Sequence, residues 1–165
     1  MLKDNPFFSQ TEFQEILKAI GLLSSGGELF KDHEKKYHEV MAFLTHLLAL
    51  ARYMKKNKPL VLLDAGCGRS YLSFVLNAIF TRKLERPAHF IGVDHREDLV
   101  EASRSVADEL EFENMEFHAG GILEVSPSQK PDIIYALHAC DTATDEALAA
   151  GIRLNARGII LVPCC

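Results

Sequence analysis

Leu60-Val61-Leu62-Leu63-Asp64-Ala65-Gly66-Cys67-Gly68-Arg69-Ser70-Tyr71-Leu72 is the stretch that decides the fold. Its opening apolar run, Leu60 to Leu63, is too short for a helix and lacks polar alternation, so it reads as a strand buried on both faces, as in parallel sheets. The glycines after it let the backbone turn tightly and approach a ligand. The residues beyond them open a helix, whose first N–H groups can bind polar or anionic atoms. A strand, a glycine turn and a helix form the opening unit of an α/β ligand-binding fold.

Downstream the alternation repeats. Phe90–Val93, Met115–His118, Ile133–Leu137 and Gly158–Val162 read as strands, and Phe74–Ile79, Leu99–Leu110 and Thr144–Ala150 as helices. Such units predict a parallel sheet covered by helices, with ligands at the carboxyl ends of the strands. Gly120, Gly121, Pro127 and Pro131 leave little room for a helix between His118 and Pro131. Upstream, Phe13, Ile16, Leu17 and Ile20 keep helical spacing over Thr11–Leu23 behind Thr11 as N-cap, and Ser24-Ser25-Gly26-Gly27 ends the segment. A longer helix is expected from about His33 to Met54, with Tyr37, Val40, Met41, Leu44, Leu47, Leu48 and Ala51 on its apolar face. These two helices are expected to roof a ligand cleft on a sheet of strand order 3-2-1-4-5.

The chain has 165 residues, 48% of them apolar and 25% charged, which suits a single globular domain with a real core. Its formal charge of -5 excludes bulk attraction to nucleic acid or anionic membranes. No apolar run approaches the roughly 20 residues of a membrane span and the start has no signal-peptide pattern, so a cytoplasmic protein with no membrane partner is expected. Cys67, Cys140, Cys164 and Cys165 have no disulfide-framework spacing and read as reduced thiols. With His138 they all fall at carboxyl ends of strands, but C-x2-C spacing is absent and no metal site is expected.

Asp94 ends the second strand, where a carboxylate can accept both hydroxyls of a ribose. A dinucleotide fingerprint would carry a third glycine and an acid about 20 residues on. Here Gly68 is followed by Arg69, Ser70 and Tyr71, and Asp94 lies 26 residues beyond Gly68. This argues against a nicotinamide-dependent oxidoreductase. The D-x-G-x-G pattern with its later acid resembles the class I S-adenosylmethionine-dependent methyltransferases from about residue 33 onward. A narrower resemblance lies in Lys36-Tyr37-His38-Glu39-Val40, in Leu137-His138-Ala139-Cys140-Asp141-Thr142-Ala143-Thr144-Asp145 and in Pro163-Cys164-Cys165. These look like the motifs of methyltransferase-like proteins related to the domain in glutathione S-transferase C-terminal-domain-containing proteins, and are similar to those of acceptor-stem tRNA 2'-O-methyltransferases. Asp141 departs from the pattern, which has glycine there.

The resemblance implies a Rossmann-like, three-layer αβα fold with a mostly parallel sheet that lacks the last two strands of the class. A helical extension over residues 1–30 would precede a cofactor domain over 31–165, either a fragment or a chain whose last strand a second copy or a partner covers. It implies S-adenosyl-L-methionine as cofactor, with its methionine end over Asp64, Gly66, Cys67 and Gly68 and its ribose on Asp94. His95 would lie near the adenine edge, Gly120, Gly121 and Ile122 would frame the adenine, and Leu137, His138 and Ala139 would face the methyl group. The implied activity is methyl transfer to an acceptor that the sequence does not name, RNA or a small molecule. A module that holds the cofactor without turnover is the alternative.

Among candidate catalytic residues, His138 carries an imidazole, a group suited to proton transfer near neutral pH, and stands at a strand's carboxyl end, so it reads as a general base or as a histidine bonded to backbone or cofactor. Asp141 would sit beside the transfer site or serve as a turn residue, and Asp145 reads as a helix cap. His38 reads as a packed or solvent-edge residue that the resemblance would bring to the rim of the site. Lys35, Lys36, Lys55, Lys56 and Lys58 form either a basic edge for phosphate or solvated faces.

Overall fold

The computed structural model describes residues 10–137, 139 and 141–163. Five strands, β1 (Leu60–Ala65), β2 (Ala88–Asp94), β3 (Met115–Ala119), β4 (Ile133–Leu137) and β5 (Gly158–Val162), form one sheet in the order β3-β2-β1-β4-β5. Every pairing is parallel. The order is the one the sequence predicts, and the chain reverses direction across the sheet between β2 and β4, on either side of β1. In such sheets the crevice for a ligand opens beside the carboxyl ends of the strands at that reversal.

β1 is buried along its whole length, as its unbroken apolar run requires. Alternate side chains serve opposite faces. Leu60, Leu62, Phe90, Phe117, Ile133 and Tyr135 join the core beneath helices α1 (Gln10–Ala19), α2 (Glu34–Ala51), α3 (Tyr71–Ala78) and α4 (Glu97–Glu109). Val61, Leu63, Ile91, Val93, Ile134 and Ala136 face the other way, under α5 (Thr142–Arg153). The layers are therefore unequal, because the β3–β4 connection forms turns rather than a helix, as its glycines and prolines predict. On that thinly covered stretch the strands carry polar groups. Glu116 lies 3.5 Å from His89 and 3.3 Å from His118, and it accepts the N–H of Ser128 in the crossing loop.

Several boundaries differ from the sequence expectation. Gln10 is already helical, so Thr11 lies inside α1 rather than capping it. A 3-10 turn at Lys31–His33 precedes α2, and α2 ends at Ala51; Met54 folds back to donate its N–H to the Ala51 carbonyl. α3 starts at Tyr71 and widens into a π-helical turn at Ile79–Lys83. α5 begins at Thr142, so Asp145 sits in its first turn and is not its cap. α1 and α2 are part of the layer over one sheet face, packed on α3. Among the described residues, no helix is long and apolar enough to cross a membrane.

Candidate cofactor site

The loop after β1 is built by alternating backbone signs. Gly66 and Gly68 have φ of 74° and 52°, which only glycine adopts freely, and Ser70 follows at 53°. The N–H groups of Gly66 and Cys67 both donate to the Val93 carbonyl, at 2.8 and 2.9 Å, which fixes the loop to the end of β2. The Gly68 N–H donates to Asp94 Oδ2 at 2.7 Å, and the Arg96 N–H donates to Asp94 Oδ1 at 2.9 Å. Asp94 is only 7% exposed, yet each oxygen keeps a lone pair for a further donor. The Gly120 N–H donates to the Asp94 carbonyl at 2.9 Å, bringing the turn after β3 to the same edge.

A Cβ on Gly66 would stand 3.7 Å from the Ala139 Cβ, so the loop closes against the segment after β4. A Cβ on Gly68 would meet nothing within 4 Å. The space in front of Gly68 is open, and Gly68 is tied to the held Asp94 carboxylate. Ser70, 1% exposed, turns inward, with its hydroxyl 3.5 Å from that of Ser103 on α4. Such a cradle fits the polar end and ribose of a nucleoside cofactor.

Asp64, next to last in β1, is turned to the α3 side and is buried. The Ser73 hydroxyl donates to it, and Ser73 is 2.7 Å from the Tyr135 hydroxyl on β4. Burial pushes Asp64 up to about 7; the Ser73 hydrogen bond opposes the rise and the nearby Asp94 charge adds to it. Burial, and then the charge of Asp64, push the Cys67 thiol up as well, so it is no thiolate nucleophile.

The other candidates scatter more. His95 is 85% exposed, with Nδ1 3.5 Å from Asp94 Oδ1. Gly121 lies in the turn after β3, while Ile122 is buried in the core on the α5 side. Leu137 is half-buried at the end of β4. His138 lies outside the described residues, as do Cys140, Cys164 and Cys165. Asp141 is exposed ahead of α5, with φ 51° and ψ -132°, a backbone conformation suited to glycine. The Thr144 hydroxyl donates to the Ala139 carbonyl and ties α5 to this segment. Among the described residues no cluster could hold a metal ion.

The five lysines do not form one edge. Lys35 and Lys36 stand at the start of α2, whereas Lys55, Lys56 and Lys58 follow its end, about 27 Å away for a helix of 18 residues. Lys58 pairs with Asp132 at 2.8 Å, at the amino ends of β1 and β4. His38 is exposed on α2, its ring edge-on to Tyr37 at 5.5 Å. Sequence reasoning passed over Ser73, Tyr135 and His33. His33 lies with its ring 6.5 Å from that of Tyr71, just past the glycine loop. Ser73 and Tyr135 carried no local signal, since each stands at a position that the pattern marks only as core.

A family model described as a methyltransferase domain matches residues 35–165. The chain belongs to this methyltransferase-domain family. No curated protein matches it. Solved structures of similar fold include coclaurine N-methyltransferase bound to N-methylheliamine and SAH, with 16% identity and a TM-score of 0.57 over 89% of this chain and 42% of that one. SAM-bound CalS10, an amino pentose methyltransferase from Micromonospora echinaspora, has 19% identity and a TM-score of 0.53 over 84% of this chain and 58% of its own. The CMeT domain of the citrinin polyketide synthase has 20% identity and a TM-score of 0.55 over 70% of this chain and 31% of that chain. This methyltransferase-family chain thus spans roughly a third to three-fifths of the length of these structures. At such identities the likeness carries the fold: the five-stranded parallel sheet is the Rossmann-like sheet of the methyltransferases.

Proposed function

We propose that the chain binds S-adenosyl-L-methionine at the carboxyl edge of β1 and β2 and transfers its methyl group to an acceptor. The observation that carries this reading is the Gly68 N–H clamped on Asp94 beside open space, at the reversal point of a methyltransferase-family sheet. Asp94 would take the ribose hydroxyls with its free lone pairs. Gly66, Cys67 and Gly68 would border the methionine end, with Asp64 beneath them, while His95, Gly121 and Ile122 would line the adenine. The cofactor supplies a methyl group on a positively charged sulfur with a good leaving group, so positioning provides much of the acceleration. Leu137 and Ala139 would border the transfer point. His138 would accept the acceptor's proton where that group is a hydroxyl, and Asp141 would lie beside it.

The resemblance of residues 36–40 and 137–145 to tRNA methyltransferase motifs supports RNA as the first acceptor class to test, with small molecules the other. β5 pairs only with β4 among the described residues, so a covering strand from a partner or a second copy remains part of the proposal. The test is thermal shift and calorimetry with S-adenosylmethionine, S-adenosylhomocysteine and NAD, followed by tritiated methyl transfer to fractionated RNA, protein and metabolites. Preferential NAD binding overturns the cofactor assignment. His138→Ala should lower turnover about 100-fold or more with little change in cofactor affinity if it is the base.

A second reading has one observation of its own. Asp141 stands in a glycine-type backbone conformation where the related motif has glycine. A module that binds the cofactor without turning it over would tolerate that strain. Activity gained by Asp141→Gly in an otherwise inactive chain supports this reading, and turnover by the natural chain excludes it.

A further inference from the structure

Because every strand pairing is parallel, the segments that lead into the strands meet at one end of the sheet, opposite the glycine loop. Cations collect there. Lys55, Lys56 and Lys58 precede β1, Arg86 precedes β2, Lys130 precedes β4 and Arg157 precedes β5. Two hollows open on this end. Lys55, Lys58, Lys130 and Arg157 line one of about 410 Å³ around the buried Asp132. Arg52, Lys56 and Arg86 line the other, of about 370 Å³, together with the apolar side chains of Leu48, Phe80 and Leu84. Arg86 donates to the Lys55 carbonyl at 3.3 Å, which joins the two. Against these seven cations stand two carboxylates, Glu85 and Asp132, and Lys58 occupies both oxygens of Asp132.

Cations elsewhere have carboxylates beside them: Lys35 with Glu39, Lys83 with Glu12, Arg96 with Asp98 and Arg104 with Glu101. At the amino end of the sheet they do not. Arg52, Lys55, Lys56, Lys130 and Arg157 are all exposed, and among the described residues none of them has an ion pair. In a chain of formal charge -5, five unpaired cations at one end make a local field that attracts an anion. Tyr53 stands in the chain between Arg52 and Lys55 and is 83% exposed, more than any other large apolar side chain described. An exposed ring among cations suits a single-stranded nucleic acid, which sets its phosphates on the charges and stacks a base on the ring. A free phosphate would use the charges alone.

We propose that the amino end of the sheet binds single-stranded RNA, with phosphates on Lys55, Lys56, Lys130 and Arg157 and a base against Tyr53. The six residues of β1, at about 3.3 Å each, put this face roughly 20 Å from the glycine loop. It therefore holds a part of the strand away from the methyl acceptor. The inference deepens the RNA reading of the acceptor, and it rests on that reading for the choice of RNA over DNA. Contacts of this kind carry no base sequence: the phosphate backbone supplies the affinity, and every base has a face that stacks.

The experiment is fluorescence anisotropy with a labelled oligouridylate of about 12 nucleotides, titrated across a salt series beside calorimetry with S-adenosylhomocysteine. Lys56→Gln, Lys130→Gln and Arg157→Gln should each weaken binding and make the slope of log K against log salt shallower by about 0.7, the value for one phosphate contact on a single strand. Tyr53→Ala should weaken binding about tenfold and leave the slope unchanged, since it removes a stacking face and no charge. All four side chains are exposed, so the variants keep the fold. Lys18→Gln, exposed on α1, should change neither quantity. An equal loss of slope in Lys18→Gln spreads the effect over the whole surface and overturns the inference. Tighter binding of duplex RNA, of a DNA strand of the same length or of phosphatidylserine vesicles overturns it as well. No RNA binding in a chain that still binds S-adenosylhomocysteine overturns it and leaves the cofactor reading intact. RNA binding without S-adenosylhomocysteine binding supports it and overturns the cofactor reading alone.

Discussion

Gly68 donates its backbone N–H to the Asp94 carboxylate at 2.7 Å, across 26 residues of sequence. This one bond joins the glycine loop after β1 to the acid that ends β2. Asp94→Ala removes the acceptor and leaves the Gly68 N–H unpaired. Losing hydrogen bonds to a charged group costs about 1.5–3 kcal/mol, so the dissociation constant for S-adenosylhomocysteine should rise about tenfold or more. Calorimetry on the two proteins checks this; an unchanged constant would move the ribose elsewhere.

Asp141 has the least comfortable backbone at the site. Asp141→Gly should stabilise the chain by about 1–2 kcal/mol, since the φ of 51° with ψ of -132° costs a side-chain-bearing residue about that much. Urea unfolding measures the gain. Asp141→Ala, which keeps the Cβ, should show none of it.

Gly92 tests the packing beneath the loop. A Cβ there would lie 2.6 Å from the Phe117 ring and 3.1 Å from the Cys67 sulfur. Gly92→Ala is expected to destabilise by about 1–3 kcal/mol, the usual range for overpacking. Combining it with Phe117→Leu should recover part of the loss in the same unfolding assay.

The raised pKa of Asp64 has a consequence for stability. Its folded value of about 7 lies above the usual carboxylate value, so the folded state holds a proton that the unfolded chain has released between about pH 4 and 7. Its contribution to stability therefore falls as pH rises through that window and levels off above it. Asp64→Asn should gain a few kcal/mol over the natural chain at pH 8 and little at pH 4. Denaturant midpoints at the two pH values decide it.

At the opposite edge of the sheet Asp132 is buried, accepting from Lys58 at 2.8 Å and from the Val61 N–H at 3.2 Å. Asp132→Ala should cost about 1.5–3 kcal/mol, because it orphans a buried N–H. Lys58→Met should cost about 1 kcal/mol or less, since that side chain is half exposed and screened by water. Comparable losses in the two variants would show that the ion pair, rather than the backbone bond, holds the strands.

The strands, their parallel pairing and the glycine loop were legible in the sequence because each leaves a local mark: Leu60 to Leu63 as an unbroken apolar run, Gly66 and Gly68 as the residues that tolerate positive φ, Asp94 as an acid closing a strand. The proline-rich β3–β4 connection was legible for the same reason. Helix ends were less so, since Thr11 and Asp145 have the right chemistry for caps but the helices begin before them. The lysines read either as one basic edge or as solvated faces, and only the length of α2 put the two groups at opposite ends of that helix. The union of Asp64 with Ser73 and Tyr135 belongs wholly to the tertiary structure. A serine and a tyrosine at core positions announce nothing until a strand crossover brings β4 beside β1 and α3 lies over both; their hydroxyls then meet a carboxylate that burial has left needing a donor.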